Sequence, residues 1–599
     1  MPNIIIRNYP SHTFDTLVRS GLHPVLARVY AARGIEEPNQ LDMELSRLIP
    51  FERLKNVSTM AVRLADAILA RKRLLIIADY DSDGATACAV GIRALRKFGA
   101  IVDYLVPNRF EYGYGLTPEI VRLAAATTNR PDILITVDNG IASVEGVAEA
   151  NRLGMQVFVT DHHLPGDELP DAAVIVNPNQ RGCDFPSKHL AGVGVIFYLM
   201  LALRAVLRAR GIFAPPQKEP NLASLLDLVA LGTVADVVKL DDNNRILVQQ
   251  GLQRIRRGHG CAGINALMQV ARRDFRRTST YELGFMLGPR LNAAGRLDDM
   301  ALGIECLITE DESRASQIAL QLDALNRQRR EIESDMQDSA LVMLETALST
   351  QPMHNATQNA TGKTLNTHSL SLFNPGWHQG VIGILASRIK DKFHRPVIAF
   401  APGGDGEIKG SGRSITGFHL RDSLDLVSKR YPGLLLKFGG HAAAAGLTVR
   451  ASDFEKFRDA FEQIAQTLLT PADLTLVIET DGSLDESELS PELVRRLTEQ
   501  VWGQGFTQPA FNACFRVETQ RIVGEKHLKL KLRKQETRPG ERESNKSGRL
   551  YDAMLFFHTT PLPETIDAVY RLEMNEFNGG STLQFILDYW FPSALSTGA

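Results

Sequence analysis

Three short apolar runs in the first third of the chain end in the same way, and that repetition limits the fold more than any other feature. Leu74-Leu75-Ile76-Ile77-Ala78 leads into Asp79, Asp81 and Asp83 before Gly84; Ile133–Val137 leads into Asp138-Asn139-Gly140; Gln156–Thr160 leads into Asp161-His162-His163. Each run has the length of a buried strand. Helical patterns over 61–71, 86–98, from Thr117 onward and over 144–153 separate them, with a further strand over 102–106. Strands alternating with helices of about a dozen residues predict right-handed βαβ units and a parallel sheet. Ligands bind such sheets at the C-terminal strand ends, so three sets of acids and imidazoles fall on one functional edge.

Asp79, Asp81 and Asp83 repel one another, and a divalent cation is the simplest compensation. Oxygen donors at this density suit Mg²⁺ or Mn²⁺ rather than Zn²⁺. Taken alone, Asp-x-Asp-x-Asp-Gly is also a solvated turn or a calcium loop. A twelve-residue calcium loop opening at Asp79 would close on an acid at position 90, where the chain has Val90. Further on, 221–238 reads as an apolar helix that carries Asp227 and closes near Asp236. A buried carboxylate needs a metal, a cation or a hydrogen-bond donor. Nine residues apart on one helix, these two point to opposite sides, so only one is expected at a shared site.

At 599 residues the chain predicts several domains. Its N-terminus lacks the basic segment and long apolar core of a secretory signal. The longest apolar run, 190–203, stops at Arg204, short of a bilayer span. A cytoplasmic protein is the expectation. Cys88, Cys183, Cys261, Cys306 and Cys514 form no Cys-x-x-Cys pair, which argues against a disulfide framework or a zinc finger. A formal net charge of -2 alone argues weakly against nucleic acid, but 254–257, 272–277, 327–330 and 526–534 are dense in Lys and Arg. Singly these are solvated faces; together they make a basic channel.

Residues 311–348 read as a long polar connector helix, and 349–369, rich in Thr, Asn, Gln and Ser, as a flexible insertion. Helix and strand resume from Trp377. Two glycine-rich sites follow, Gly410-Ser411-Gly412-Arg413-Ser414 and Gly439-Gly440-His441, read as loops whose small residues admit a phosphate. From Asp473 the chain reads as strands. Lys526 to Leu532 alternates cation and apolar residue, placing positive charge on one strand face. The loop 535–549 is polar, and 551–557 and 583–587 read as further strands. A small β-barrel with a basic face is a common single-strand-binding design.

With these motifs in place, the chain from about residue 45 resembles the DHH phosphoesterase superfamily and, within it, the bacterial exonucleases specific for single-stranded DNA. Asp79 to Gly84 looks like the first motif, Asp138-Asn139-Gly140 the second, Asp161-His162-His163 the motif that names the family, and Leu231 to Asp236 the fourth. Trp377-His378 and Gly439-Gly440-His441 resemble the DHH-associated domain. Val106 to Arg109, Tyr112 to Gly115 and Gly288 to Arg296 are similar to the exonuclease branch in particular. One segment departs: where the family tends to carry Pro-Phe-Gly-x-Gly-Asn-Pro, this chain has Val501-Trp502-Gly503-Gln504-Gly505-Phe506-Thr507-Gln508-Pro509.

The resemblance implies a multidomain α/β protein: an N-terminal segment (1–55), a parallel-sheet DHH catalytic domain (56–310), the connector helix (311–348), the insertion (349–369), an α/β DHH-associated domain (370–470) and an OB-like barrel (471–599). It implies two Mn²⁺ or Mg²⁺ ions, one held by Asp79 or Asp81, the other by Asp83 and His162, with Asp138 bridging and either Asp236 or Asp227 completing the set. His163 would face the scissile phosphate, stabilising its charge or protonating the leaving 3′ oxygen, with Asp138 and Asp161 as the other catalytic residues. Arg109, Arg290, Asn292 and Arg296 are implied around a terminal 5′ phosphate, and Arg413, Ser414 and His441 over the strand. The implied reaction is 5′→3′ hydrolysis of single-stranded DNA to 5′-mononucleotides in recombination and repair. The implied protein is a monomer, with a single-strand-binding protein or a helicase as partner. Cleavage of short oligonucleotides or cyclic dinucleotides is the alternative activity, and a relative that binds without cleaving would lack metal ligands this chain retains.

Overall fold

The computed structural model describes residues 3–108, 112–214, 218–349, 357–358, 364–365, 367–535, 549–577 and 580–593. Two compact units divide the chain: Ile6–Asp323 with Glu479–Ala599, and Met1–Ile5 with Ala324–Ile478.

The larger unit contains the predicted parallel sheet. Its strands are β1 (Arg73–Ala78), β2 (Ile101–Leu105), β3 (Ile133–Val137), β4 (Gln156–Thr160) and β5 (Val174–Val176), in the spatial order β2-β1-β3-β4-β5, every pair parallel. β3 is buried at every position and β1 at all but its first, so neither strand alternates; helices cover both faces of such strands. One face packs Leu75, Ile77, Leu134 and Val157 against Ile120 and Val121, each aliphatic group contributing roughly 1.5–3 kcal/mol by leaving water. The strand order reverses between β1 and β3, the position where open sheets form a ligand crevice.

Helix α1 (Ser82–Lys97) follows β1 directly. α2 (Gly192–Ala209) continues past Arg204, longer than the sequence suggested, and is long and apolar enough to span a membrane by composition, yet 67% of it is buried inside the protein. It serves as a core helix. α3 (Leu226–Ala235) and α4 (Gly288–Leu297) complete the surroundings of the sheet edge. α5 (Glu312–Ser349), 38 residues long, is the predicted connector, and the boundary between the units falls within it. Most of the insertion at 349–369 lies outside the described residues.

The smaller unit is built on β6 (Leu370–Phe373), β7 (Val397–Gly404), β8 (Glu407–Arg413), β9 (Lys437–Gly440) and β10 (Ala444–Arg450), in the order β9-β10-β8-β7-β6, with α6 (Ile382–Phe393) following β6 in the chain. Here the structure corrects the sequence reading: Gly410 to Arg413 lie on strand β8, and Gly439 and Gly440 end strand β9, with only His441 to Ala443 left as the turn into β10. A Cβ at Gly410 would stand 2.6 Å from Phe400 and 2.7 Å from Leu447, and one at Gly412 would stand 2.7 Å from Leu420. These glycines admit large side chains from the core, so they pack rather than turn.

In the larger unit, helix Pro491–Thr498 precedes the barrel, a helix where the sequence read as strands. The barrel closes in the order β11 (Phe511–Val523), β12 (His527–Gln535), β13 (Leu550–Leu555), β15 (Gly580–Pro592), β14 (Thr565–Phe577). The divergent 501–509 segment is an anchor. Trp502 and Phe506 stack on each other at 5.4 Å and on Tyr30 at 5.7 and 5.9 Å, with the Arg245 guanidinium 4.2 Å from the Phe506 ring centre. Arg33 grips Asp481 through two hydrogen bonds of 2.6 and 3.0 Å. From Ile6 onward the N-terminal segment is thereby part of the larger unit.

Candidate metal centre

The ends of β1, β3 and β4 and the end of α3 converge on one polar cluster. Asp81 caps α1, its Oδ1 accepting the amides of Asp83 (2.9 Å) and Gly84 (3.0 Å), and a carboxylate at a helix start is favoured by the exposed amides there. Asp83, fully buried, accepts the Gly192 and Val193 amides at 2.6 and 2.9 Å, which lashes the first motif to the start of α2. Asp138 sits at φ 63°, a left-handed turn residue that Asn139 braces through bonds to the Ile77 and Val137 carbonyls. Gly192 lies so close to Asp138 that a Cβ there would be 2.7 Å from its Oδ1.

His162 Nε2 is the centre of the cluster, 3.1 Å from Asp138 Oδ1, 3.5 Å from Asp236 Oδ2 and 3.9 Å from Asp83 Oδ2. Asp138 Oδ1 and His162 Nε2 are both buried and make no hydrogen bond. Buried polar atoms are almost always paired, so two unpaired ones facing each other mark a place for a ligand. Ligand atoms lie within 4.8 Å of one another in three sets: Asp79, Asp81 and Asp138; Asp83, His162 and Asp236; and Asp138, His162 and His163.

The electrostatics agree. Burial and the charge of Asp81 push the Asp83 carboxyl up to about 7. Burial, then the charges of Asp83, Asp81 and Asp79, holds Asp138 and Asp236 well above the carboxylate range. Burial and neighbouring His163 lower His162 to about 4, so it is a neutral donor with Nε2 available, its ring also bonded to the Leu190 backbone. His163 differs: burial opposes its charge, but the Nδ1 bond of 2.8 Å to Asp161 and that carboxylate's charge raise it to about 9. Asp161 accepts besides from the Ile141, His162 and His163 amides, so it holds the motif rather than facing the cluster.

Asp227 is not brought there. It is buried at the other end of α3, where it accepts the Cys261 amide at 2.7 Å. Arg290 is buried and bonded to Asp323 and to the Met286 carbonyl. Asn292 accepts from the Ser82 amide (2.7 Å) and hydroxyl (2.9 Å), bracing the first motif. Arg296 lies at the end of α4, half-buried, and Arg109 lies outside the described residues. In the smaller unit the Ser414 hydroxyl donates to the Phe418 carbonyl, and the His441 amide to that of Ala444. Ser411, two residues before Arg413 on β8, receives its guanidinium at 3.2 Å.

Several further side chains touch the predicted site residues. Ser411 was legible from the strand period, which puts it on the face of Arg413. β5 also ends in polar side chains, Asn177 and Asn179, whose amides donate to the His163 and His162 carbonyls. Tyr114, quoted only as part of a motif, has its hydroxyl 3.3 Å from His163 Nε2. Nothing local signals that the Gly192 and Val193 amides serve Asp83, 109 positions away from Gly192.

The sequence matches the DHH family N-terminal domain over residues 73–233, the DHHA1 domain over 365–467 and the RecJ OB domain over 480–589. It is 47% identical to the single-stranded-DNA-specific exonuclease RecJ of Escherichia coli over 579 residues, covering 95% of this chain and 96% of that protein, and 47% identical to that of Salmonella typhimurium with the same coverage. The fold superposes on the crystal structure of Thermus thermophilus RecJ in complex with Mn²⁺ with a TM-score of 0.77 at 27% identity, covering 99% of this chain and 80% of that one; the Mg²⁺ complex gives 0.72. With three consecutive domains and nearly the whole length matched, the chain belongs to the RecJ family of single-stranded-DNA-specific exonucleases.

Proposed function

We propose that the cluster holds two Mn²⁺ or Mg²⁺ ions and hydrolyses single-stranded DNA from the 5′ end, releasing 5′-mononucleotides. Support comes from the unpaired Asp138 Oδ1 and His162 Nε2, 3.1 Å apart within a ring of carboxylates whose mutual repulsion a cation relieves. Asp79, Asp81 and Asp138 would hold one ion and Asp83, His162 and Asp236 the other, with Asp138, 3.1 Å from His162, within reach of both. Asp227 has no part in this reading. The ions supply a hydroxide equivalent at neutral pH and brace the charge of an in-line displacement at phosphorus.

The protein's own groups do the rest. Asp161 keeps the His163 proton on Nδ1 and the imidazolium charged. That charge stands beside the cluster to meet a phosphate oxygen or protonate the departing 3′ oxygen. Gly192 leaves Asp138 room to turn into the cluster, and Asn292 holds the Ser82 turn in register. Arg413 with Ser411 offers the smaller unit's phosphate contact. Arg290, tied to Asp323, acts as a brace in this reading. The enzyme works in the cytoplasm as a monomer, on strands presented by a single-strand-binding protein or a helicase.

The test is a long single strand labelled at either end, incubated with Mn²⁺ beside blunt duplex and an Asp138→Ala variant. Mononucleotides from the 5′ end of the single strand, absent in the variant, are expected. Cleavage confined to very short oligonucleotides would replace this reading with a small-substrate one.

A further inference from the structure

The sequence predicts a strand over 551–557, but β13 stops at Leu555, and the two residues that follow turn outward. Phe556 is 46% and Phe557 84% exposed. Phe557 also sits at φ 53°, a left-handed conformation that is costly for an L-residue with a bulky side chain. The turn is held by the Phe557 amide, which donates to His527 Nδ1 at 3.0 Å, and the His527 ring meets both phenylalanine rings edge-on at 5.1 Å. The core gains nothing from a strained, exposed ring. An outlier of this kind points to a ligand.

The neighbouring strands identify its chemistry. Leu555 pairs with Leu528, so the aromatic turn leaves the barrel beside the start of β12. His527 and Lys529 share a face of β12, and Arg521 of β11 lies directly opposite Lys529 in the register. Like charges directly opposite are destabilising. Among the described residues neither cation forms an ion pair with a carboxylate, whereas farther along the same strands Arg533 pairs with Glu518 and Lys531 with Asp552. Arg521 is exposed and Lys529 half-buried, and Lys526 adds a further exposed cation at the hairpin end. Exposed rings beside uncompensated cations match a polyanion that carries flat faces.

We propose that this barrel tip is a stacking site for bases of the single strand, with Phe557 as the platform and Arg521 and Lys529 on the backbone phosphates. The inference rests on the exonuclease reading above and adds a specific contact on the barrel. Stacking accepts any base, so the tip contributes grip without sequence preference.

The experiment measures equilibrium binding of a long oligothymidylate to the full-length, metal-free protein by fluorescence anisotropy. Phe557→Ala weakens binding on the order of fivefold or more, without changing its salt dependence. Phe557→Gly, which relieves the strained φ, shows the same loss with a melting temperature no lower than wild type. Lys529→Gln weakens binding and lowers the salt slope by roughly 0.7, one single-strand phosphate contact. On an abasic strand the Phe557→Ala penalty vanishes. Binding within twofold of wild type for both Phe557 variants, or a penalty that persists on the abasic strand, overturns the proposal. Wild-type turnover of the same strand with Mn²⁺ is read separately: degradation with no Phe557 effect sinks this inference alone, and absence of degradation sinks the exonuclease reading.

Discussion

Two carboxylates at opposite ends of α3, Asp227 buried and Asp236 partly exposed, stand in contrasting company. At one end burial raises the Asp227 carboxyl, and the Cys261 amide that it accepts and the charges of Arg254 and Arg93 oppose that rise. At the other, Asp236 faces Asp83, Asp81 and Asp79, and its carboxyl is driven up by burial and those like charges. An acid among cations and donors is a structural group. An acid among acids is destabilising in the bare protein and acquires a purpose only when a cation joins it.

The largest effect that could break this contrast is on turnover. Asp236→Asn is expected to reduce exonuclease activity by on the order of a thousandfold while raising the melting temperature of the metal-free protein, because it removes a repelled charge. An unchanged rate would return Asp236 to the structural class. Asp227→Asn should behave oppositely in metal binding, which stays within twofold of wild type, and Asp227→Ala should lose about 2 kcal/mol in denaturant unfolding as the Cys261 amide is left without its acceptor. If Asp227→Asn abolished Mn²⁺ binding in calorimetry, the assignment of the two ends would be reversed.

Mn²⁺ itself should stabilise the folded chain by about 2.7 kcal/mol at a hundredfold excess over its dissociation constant. Thermal melts should show that gain intact in Asp227→Asn and reduced in Asp236→Asn. Gly192→Ala, which crowds Asp138, should weaken metal affinity about tenfold or more, by analogy with groups that orient ligands, and titration would show whether Asp138 must turn inward to bind. The smallest effect expected is that of Asn292→Ala, which leaves the Ser82 amide without its acceptor at a cost of about 1–2 kcal/mol.

Strand ends were readable because a buried parallel strand is a continuous apolar run with an abrupt polar terminus. β3 and β4 match their predicted bounds for that reason. The glycine-rich strands were misread because a glycine that admits Phe400 and a glycine that turns the chain are identical in sequence. The bonds that Arg290 and Asn292 make were equally hidden, since residue type says what a side chain can bind and not what stands beside it: Arg290 donates to Asp323 and Asn292 accepts from Ser82.

By itself the sequence determined the alternation of strands and helices, the metal-capable residues at three strand ends and the long connector, because periodicity and strand termination are local properties of the chain. Only the tertiary structure decided that Asp236 rather than Asp227 joins the cluster, that two α2 amides donate to Asp83, and that Phe556 and Phe557 leave the barrel. Those outcomes depend on which distant residues share a few ångströms of low-dielectric space, and no short segment encodes that.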